Sequence, residues 1–219
     1  MTTAARKRHD PRRGATRVAL IETAESLFAE AGPDGVSTRQ IGAAIGSHNT
    51  NVVAYHFGSK EALIEAVYRH RLPEIDLRRR HLLDAAIASG EADKVETLLR
   101  IFALPLFEQT DSGGRHSYAG FLAGMERSGL IATRALVSAD FPATEDLMHR
   151  IAALLPAPAR LQFDLRLRLV TGMIISGLLL TDREAKGNPA KAGRIFSDAL
   201  IIGAAALCAG VQGEVIEGT

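Results

Sequence analysis

The chain has 219 residues, of which 47% are hydrophobic and 23% charged, and its net charge is +1. These values are ordinary for a folded soluble protein and argue against an intrinsically disordered chain. The single cysteine, Cys208, excludes an intramolecular disulfide, and the seven histidines have no zinc-type spacing. The most apolar stretches, 169–181 and 199–211, are shorter than the roughly 20 residues that a membrane span needs, so we expect a cytoplasmic protein.

Positive charge is concentrated at the N-terminus. Residues 1–17 contain six Lys or Arg residues against one Asp, a net charge of +5, so the rest of the chain sums to −4. We expect residues 1–14 to form a basic flexible arm, because Pro11 and Gly14 interrupt a run of charges. Such an arm either attracts DNA phosphates and enters a minor groove, or serves as a solvated tail.

The first predicted element is a helix over residues 16–31, ended by Gly32 and Pro33. Helical periodicity places its apolar residues on one buried side: Val18, Ile21, Ala24, Leu27 and Phe28. It precedes a polar and aromatic stretch, residues 37–60, around which the rest of the chain is organised.

Local signals divide residues 37–60 into two short helices and the start of a third. Ser37 and Gln40 form an S-x-x-Q capping box that begins one helix, and Gly46 follows where a left-handed residue ends it. Asn49 is expected to cap the second helix, which places Val53 and Phe57 together on its buried side. Gly58 ends that helix, and Ser59 caps the next.

This arrangement predicts a helix-turn-helix, in which the second helix enters the major groove of DNA. The outer face of the second helix carries Asn51 and Tyr55 beside Thr50, Val52 and His56. Amide, hydroxyl, methyl and imidazole groups are able to contact base edges and phosphate oxygens. The sequence therefore predicts binding to double-stranded DNA.

The same residues resemble the DNA-binding domain of TetR-family transcriptional regulators. The similarity covers about residues 15–72, and three motifs carry it in order: Ala24-x-x-Leu27-Phe28-Ala29-x-x-Gly32, Val36-Ser37-Thr38-Arg39-Gln40-Ile41 and Tyr55-His56-Phe57-Gly58-Ser59-Lys60-Glu61-Ala62-Leu63. The turn Ser47-His48-Asn49 is one residue longer than in many members, which leaves two alternative registers for the base contacts.

The resemblance implies a set of DNA contacts shared by the second and third helices. Arg39 would reach a base edge, and Thr38 a phosphate near a helix N-terminus. The start of the third helix would read bases through Thr50, Asn51 and Val52, the last by its methyl groups. Phosphate contacts would come from Tyr55, His56 and Lys60. The alternatives are that Arg39 and Lys60 are ordinary surface charges, that Tyr55 packs in the small core, and that His56 bonds a local carbonyl.

Beyond Lys60 the pattern is helical throughout, and no strand alternation occurs, so the predicted fold is all-α. A fourth helix starts at Ser59, is ended or kinked by Pro73, and is expected to be the only connection to the second half. Further helices are predicted at about 76–89, 93–109, 115–127, 130–138, 143–155, 159–184 and 189–210. The predicted domains are the arm (1–14), the helix-turn-helix domain (15–72) and a helical regulatory and dimerisation domain (73–219).

The last two helices are apolar around most of their circumference, which favours pairing with their copies in a homodimer over a central hairpin. The resemblance implies in addition a cavity for a small-molecule effector of unknown identity. Candidate ligand contacts are Phe102, Phe121, Met125, Phe163 and Met173, although such residues at helical spacing more often form a core.

We therefore expect a homodimeric repressor that a small molecule releases from a palindromic operator. The alternatives are a ligand-independent or activating regulator of the same fold, and a helical adaptor that does not bind DNA. No catalytic, phosphate-loop, dinucleotide or metal motif is present, so the sequence predicts no enzyme, no cofactor and no metal.

Overall fold

The computed structural model describes residues 11–131, 133, 137 and 140–210. The described residues form helices and no strand, which confirms the all-α fold class. The helices are α1 (Pro11–Ala31), α2 (Thr38–Ala44), α3 (Val52–Phe57), α4 (Lys60–Ala88), α5 (Val95–Glu108), α6 (Ser117–Arg127), α7 (Pro142–Leu154), α8 (Ala157–Leu161), α9 (Phe163–Glu184) and α10 (Pro189–Cys208). Most of the helix predicted at 130–138 lies outside the described residues.

Helix α1 begins at Pro11, five residues before the predicted start. Residues 11–14 are therefore helical, which corrects the flexible arm for that part; residues 1–10 lie outside the described residues. Pro11 suits the first position of a helix because the amide that it lacks would have no intrahelical partner. Ile21, Ala24 and Phe28 are buried as expected, whereas Val18 is 40% exposed, and Leu27 is only partly buried.

The helix-turn-helix forms through the local bonds that the sequence indicates. Ser37 caps α2, its hydroxyl accepting from the Gln40 amide while the Gln40 side chain accepts from the Ser37 amide at 2.7 Å. Gly46 has φ +74° just after α2, a left-handed conformation that glycine adopts without strain. Ser59 caps α4 by accepting from the Ala62 amide.

Helix α4 is continuous through Pro73, so the two helices predicted on either side of this residue are one. A proline inside a helix removes one backbone hydrogen bond and costs about 3 kcal/mol. Leu72 and Ile75, on either side of Pro73, are both buried. Packing of this face offsets the loss, and α4 continues without a break across the proposed domain boundary at residues 72 and 73, which stays a prediction.

A second connection joins the two halves, because α1 packs along α6. The contact is close: a Cβ atom on Gly120 would lie 2.8 Å from Ala29 Cβ, and one on Gly124 would lie 2.7 Å from the Phe28 carbonyl oxygen. The expectation that α4 alone links the halves is therefore wrong. Glycines at these two positions of α6 let the helix backbones approach.

A buried ion pair stabilises the contact between α1 and α6. Glu25 on α1 is 1% exposed and accepts from the Arg71 guanidinium of α4 at 2.6 and 2.8 Å. The Ser117 hydroxyl at the start of α6 donates to the same carboxylate at 2.6 Å. One carboxylate thus joins α1, α4 and α6, and its hydrogen bonds offset the cost of burying the charge.

The C-terminal helices pack closely on each other. The long helix predicted over 159–184 is divided at Gln162 into α8 and α9. The exposed apolar residues of α9 and α10 include Leu165, Leu169, Leu180, Ile201 and Ile202, and we call these five residues the apolar stripe. No helix in the described ranges is long and apolar enough to span a membrane.

Candidate nucleic-acid interface

The N-terminus of α2 presents two of the predicted contacts. Thr38 is the first residue of the helix and is half-buried, and Arg39 follows it and is exposed. The capping box at Ser37 fixes the start of α2, and it therefore fixes where these two side chains leave the surface. The Arg39 guanidinium keeps its donors available for a base edge or a phosphate, since no described carboxylate pairs with it.

The turn before α3 differs from the predicted cap. The N-cap residue is Asn51, whose side chain makes no capping bond, and α3 begins at Val52. The Asn49 side chain instead accepts from the Asn51 amide at 2.9 Å, which stabilises the turn two residues earlier. Thr50 and Asn51 are exposed at this end of α3, so the side-chain amide of Asn51, unlike its backbone N–H, is available to a nucleotide base.

Val52 does not lie on the outer face. It is 6% exposed, and its Cγ1 would be 2.8 Å from a Cβ atom at Gly42 of α2. The predicted contact between its methyl groups and a thymine is therefore wrong in this structure. Val52 packs α3 onto α2 instead, because α3 starts two residues later than the Asn49 cap implies.

Lys60 is also engaged within the protein. Its Nζ donates to the Pro33 carbonyl oxygen and lies 5.7 Å from the centre of the Phe28 ring. This ties the start of α4 to the turn after α1 and stabilises the small N-terminal core. The predicted phosphate contact by Lys60 stays a prediction, and it would require this bond to be exchanged.

Two aromatic side chains of α3 make cation–π contacts with arginines of α1. Tyr55 is 63% exposed, which corrects the alternative that it packs in the core, and the Arg13 guanidinium lies 5.1 Å from its ring centre. The Arg17 guanidinium lies 4.8 Å from the centre of the Phe57 ring. Such cation–π contacts hold a charge over a ring face while leaving guanidinium N–H groups available.

His56 lies between these two pairs and is half-buried, with its ring edge-on to Tyr55 at 5.1 Å. Burial, and then the charges of Arg13 and Arg17, lower the pKa of His56 below its ordinary value. The imidazole is therefore neutral near pH 7 and has one donor and one acceptor. Six of the predicted contacts keep an accessible surface on α2, on α3 and in the turn before α3: Thr38, Arg39, Thr50, Asn51, Tyr55 and His56.

Comparison with known proteins decides the class. Residues 20–67 match the family described as bacterial regulatory proteins of the tetR family. This match identifies residues 20–67 as a TetR-type DNA-binding domain and supports a TetR-family transcriptional regulator. The match indicates DNA binding, and α2 and α3 form the helix-turn-helix of this domain. A search of curated proteins found no significant match to the chain.

The sequence interpretation did not single out Arg13 and Arg17, which lie against the aromatic rings of α3. It counted them only as charges of a flexible or basic N-terminus. The available signal was their spacing of four residues, which places both side chains on one face once α1 extends back to Pro11.

Of the five residues predicted to bind a ligand, only Phe102 lines the cavity between α5, α6 and α9; the other four belong to the core or pack against it. Phe121 and Met125 are fully buried in the core, and Phe163 and Met173 are partly buried against it. Phe102 lines this cavity, of about 750 Å³, together with residues such as Leu122, Arg127 and Ile175. Among the described residues, no cluster of His, Cys, Asp or Glu is placed to hold a metal.

Proposed function

We propose that this protein is a homodimeric repressor that binds a palindromic operator and is released from it by a small molecule. The observation that carries the proposal is the exposed polar surface of α2 and α3, where Arg39, Thr50 and Asn51 have unused hydrogen-bonding groups. A TetR-type DNA-binding domain supplies the binding mode. Because the target is DNA in the cell interior, the proposal includes a cytoplasmic location.

The apolar stripe supports the homodimer. Leu169 and Ile201 are each 66% exposed, an unfavourable position for large aliphatic side chains on helices that are otherwise well packed. A two-fold copy would cover both stripes at once and form a four-helix bundle from two α9 and two α10 helices. Pairing would also fix the spacing of the two α3 helices at about 34–36 Å, one turn of DNA.

The cavity bounded by α5, α6 and α9 supports an effector. Its lining is mainly apolar and also includes charged side chains, among them the ion pair of Arg168 with Glu126 at 2.8 Å. The effector must bind more tightly to a conformation in which the distance between the two α3 helices does not match the operator. An effector with equal affinity for the DNA-binding conformation and for this one would not shift the equilibrium between them. Helix α6 lines the cavity and also packs on α1, which connects the cavity to the DNA-binding domain.

An operator-binding experiment tests the DNA-binding mode. Asn51→Ala should weaken binding to the operator by about 1–3 kcal/mol and relax selectivity at one symmetric pair of base positions. Tyr55→Phe is the matched control, since removing a phosphate-contacting hydroxyl should weaken all sequences equally. Lys60 is unsuitable as this control because it bonds the Pro33 carbonyl. Equal effects of both variants on every sequence would contradict the proposed register of α3.

Filling the cavity tests the effector site. Ala123 is partly buried and lines the cavity, so Ala123→Trp should abolish binding of the apolar dye 1-anilinonaphthalene-8-sulfonate there. Ala88→Trp, at the exposed end of α4, is the control and should leave dye fluorescence unchanged. Unaltered dye binding in Ala123→Trp would show that the dye does not enter this cavity, and would leave the effector proposal without its site.

A further inference from the structure

We infer that Arg13 and Arg17 of α1, seated on the aromatic rings of α3, form a phosphate-binding clamp that grips the DNA backbone beside each half-site. We call Arg13, Arg17, Tyr55 and Phe57 the arginine clamp. The inference rests on the proposed insertion of α3 into the major groove. It adds a second helix to the interface and assigns to it the recognition of the phosphodiester backbone.

The geometry of the clamp is the first argument. Arg13 and Arg17 are one helical turn apart and on the same face of α1, about 6 Å from each other along the axis. Their ring partners, Tyr55 and Phe57, come from a single helix, so α1 and α3 are joined at two points. Stacking orders both guanidinium groups before any ligand arrives, which reduces the entropy lost on binding.

The absence of a carboxylate is the second argument. Seven of the eighteen arginines in the described part of the chain pair with Asp or Glu: Arg69, Arg71, Arg78, Arg80, Arg115, Arg150 and Arg168. Arg13 and Arg17 have ring contacts and no described carboxylate partner, although both are exposed. Their N–H donors are therefore available to an anion from outside the protein.

The third argument is the positive charge around Arg13 and Arg17. The first turn of α1 contains Arg12 and Arg13 and no acidic residue, so positive side chains lie at the positive end of the helix dipole. After burial, the charges of Arg13 and Arg17 are the next causes that lower the pKa of His56 on α3. The positive potential of the clamp thus extends over the recognition helix, where a polyanion would be attracted.

The ligand that fits these features is duplex DNA. One strand carries a phosphate for each 3.4 Å of axis. Arg13 and Arg17 leave α1 about 6 Å apart along its axis, so their two guanidinium groups can reach separate phosphates of one strand. A guanidinium bonds phosphate in a bidentate manner with its planar edge, which stacking on a ring does not occupy. Since α3 is the helix proposed to enter the groove, the backbone beside that groove is the nearest source of phosphates.

The salt dependence of operator binding tests the clamp. Each lost phosphate contact should reduce the slope of log K against log salt by about 0.9, so Arg13→Gln in both protomers should reduce it by about 1.8. Between 50 and 200 mM salt, wild type should then lose about tenfold more affinity than Arg13→Gln. Arg17→Gln should behave in the same way, and sequence preference should not change in either variant.

Arg100→Gln is the matched control, because Arg100 is an exposed arginine on α5 without a described ion pair. It removes the same net charge at a distance from α3 and should leave the slope unchanged. If Arg13→Gln and Arg100→Gln give the same slope as wild type while operator binding stays sequence-selective, the clamp is refuted and the proposed function stands. If wild type binds no DNA selectively, the proposed function itself fails.

A double-mutant cycle tests the role of the ring. Tyr55→Leu removes the surface on which Arg13 lies, so Arg13→Gln should have little further effect in that background, whereas in Tyr55→Phe it should retain its full effect. Equal effects of Arg13→Gln in both backgrounds would show that the ring does not position the arginine. Helical circular dichroism and thermal unfolding of each variant confirm that the fold is intact.

Discussion

Single side chains at the start of α3 and α4 have roles that neighbouring helices decide. Val52 is apolar and close to the exposed Asn51 in sequence, but it is buried against Gly42 of α2. Lys60 has a charge suited to a phosphate, but its Nζ bonds the Pro33 carbonyl. Tyr55, in contrast, is well exposed and supports an arginine. Residue type and spacing identified the segment around α3 as the region proposed to bind DNA. The contacts of each side chain then show which residues pack inside the protein and which stay accessible to DNA.

The titration of His56 provides a prediction at this scale. Burial and, after it, the charges of Arg13 and Arg17 lower the pKa of His56. Arg13→Gln and Arg17→Gln should therefore each raise this pKa part of the way toward the ordinary value of about 6.5, as measured by NMR titration of the ring protons. The Arg100→Gln protein should retain the wild-type pKa. An unchanged His56 pKa in both clamp variants would contradict the position of the two arginines beside α3.

The same shift has a consequence for stability. The pKa of His56 is lower in the folded protein than in the unfolded chain, so the unfolded chain binds more protons at mildly acidic pH. The contribution of His56 to the free energy of unfolding is therefore full above about pH 6.5, decreases as pH falls toward the folded-state pKa, and levels off below it. His56→Gln should remove this part of the pH dependence in urea unfolding.

At the scale of helices, the contact of α1 with α6 connects the DNA-binding domain to the wall of the cavity. Glycine at positions 120 and 124 allows close approach, and the Glu25 carboxylate bonds both Arg71 and Ser117. A displacement of α6 must therefore be transmitted to α1 or must break a buried ion pair. Helix α4 provides a parallel connection, since it runs unbroken from Lys60 to Ala88.

Gly124→Ala tests the close approach. The new Cβ would lie 2.7 Å from the Phe28 carbonyl oxygen, a backbone atom, so the helices must separate. We expect a loss of about 1–3 kcal/mol in the free energy of unfolding, measured with urea, despite the better helix propensity of alanine. Gly193→Ala is the control, since its Cβ would have no described neighbour within 4 Å; it should be neutral or stabilise by up to about 1 kcal/mol.

At the scale of the whole molecule, five of the eleven exposed large hydrophobic residues in the described ranges lie on α9 and α10, toward the end of the chain. The proposed DNA contacts and the proposed arginine clamp lie on α1, on α2, on α3 and in the turn before α3, at its beginning. A dimer formed through the apolar stripe would therefore leave both recognition helices uncovered. This separation of the two surfaces along the chain is what a two-fold repressor requires.

Charge placed in the apolar stripe tests the dimer. Ile202 is 57% exposed on α10, and Ile202→Glu should raise the dimer dissociation constant by roughly 10²–10⁴, because two copies each lose about 1.5–3 kcal/mol of apolar burial. Sedimentation equilibrium measures the change, and binding to a two-half-site operator should weaken in parallel. Leu77→Glu on α4, which is also 57% exposed, should remain dimeric. A monomeric wild type would contradict the proposal.

The sequence by itself determined the features that depend on neighbouring residues. Ser37 and Gln40 cap α2, Gly46 ends it, and Ser59 caps α4, because each signal acts over three or four residues. The all-α fold and the TetR resemblance followed from such local patterns and their order. Helical periodicity placed most remaining helices within a few residues of their observed bounds.

The tertiary structure decided where packing competes with local preference. Helix α4 continues through Pro73, although the sequence around a proline predicts that a helix ends or kinks there. Helix α1 begins at Pro11, earlier than its sequence pattern predicts. The tertiary structure paired α1 with α6 and seated Arg13 and Arg17 on the rings of α3. These contacts join residues more than 35 positions apart, and no pattern within a single helix encodes which distant helix will lie beside it.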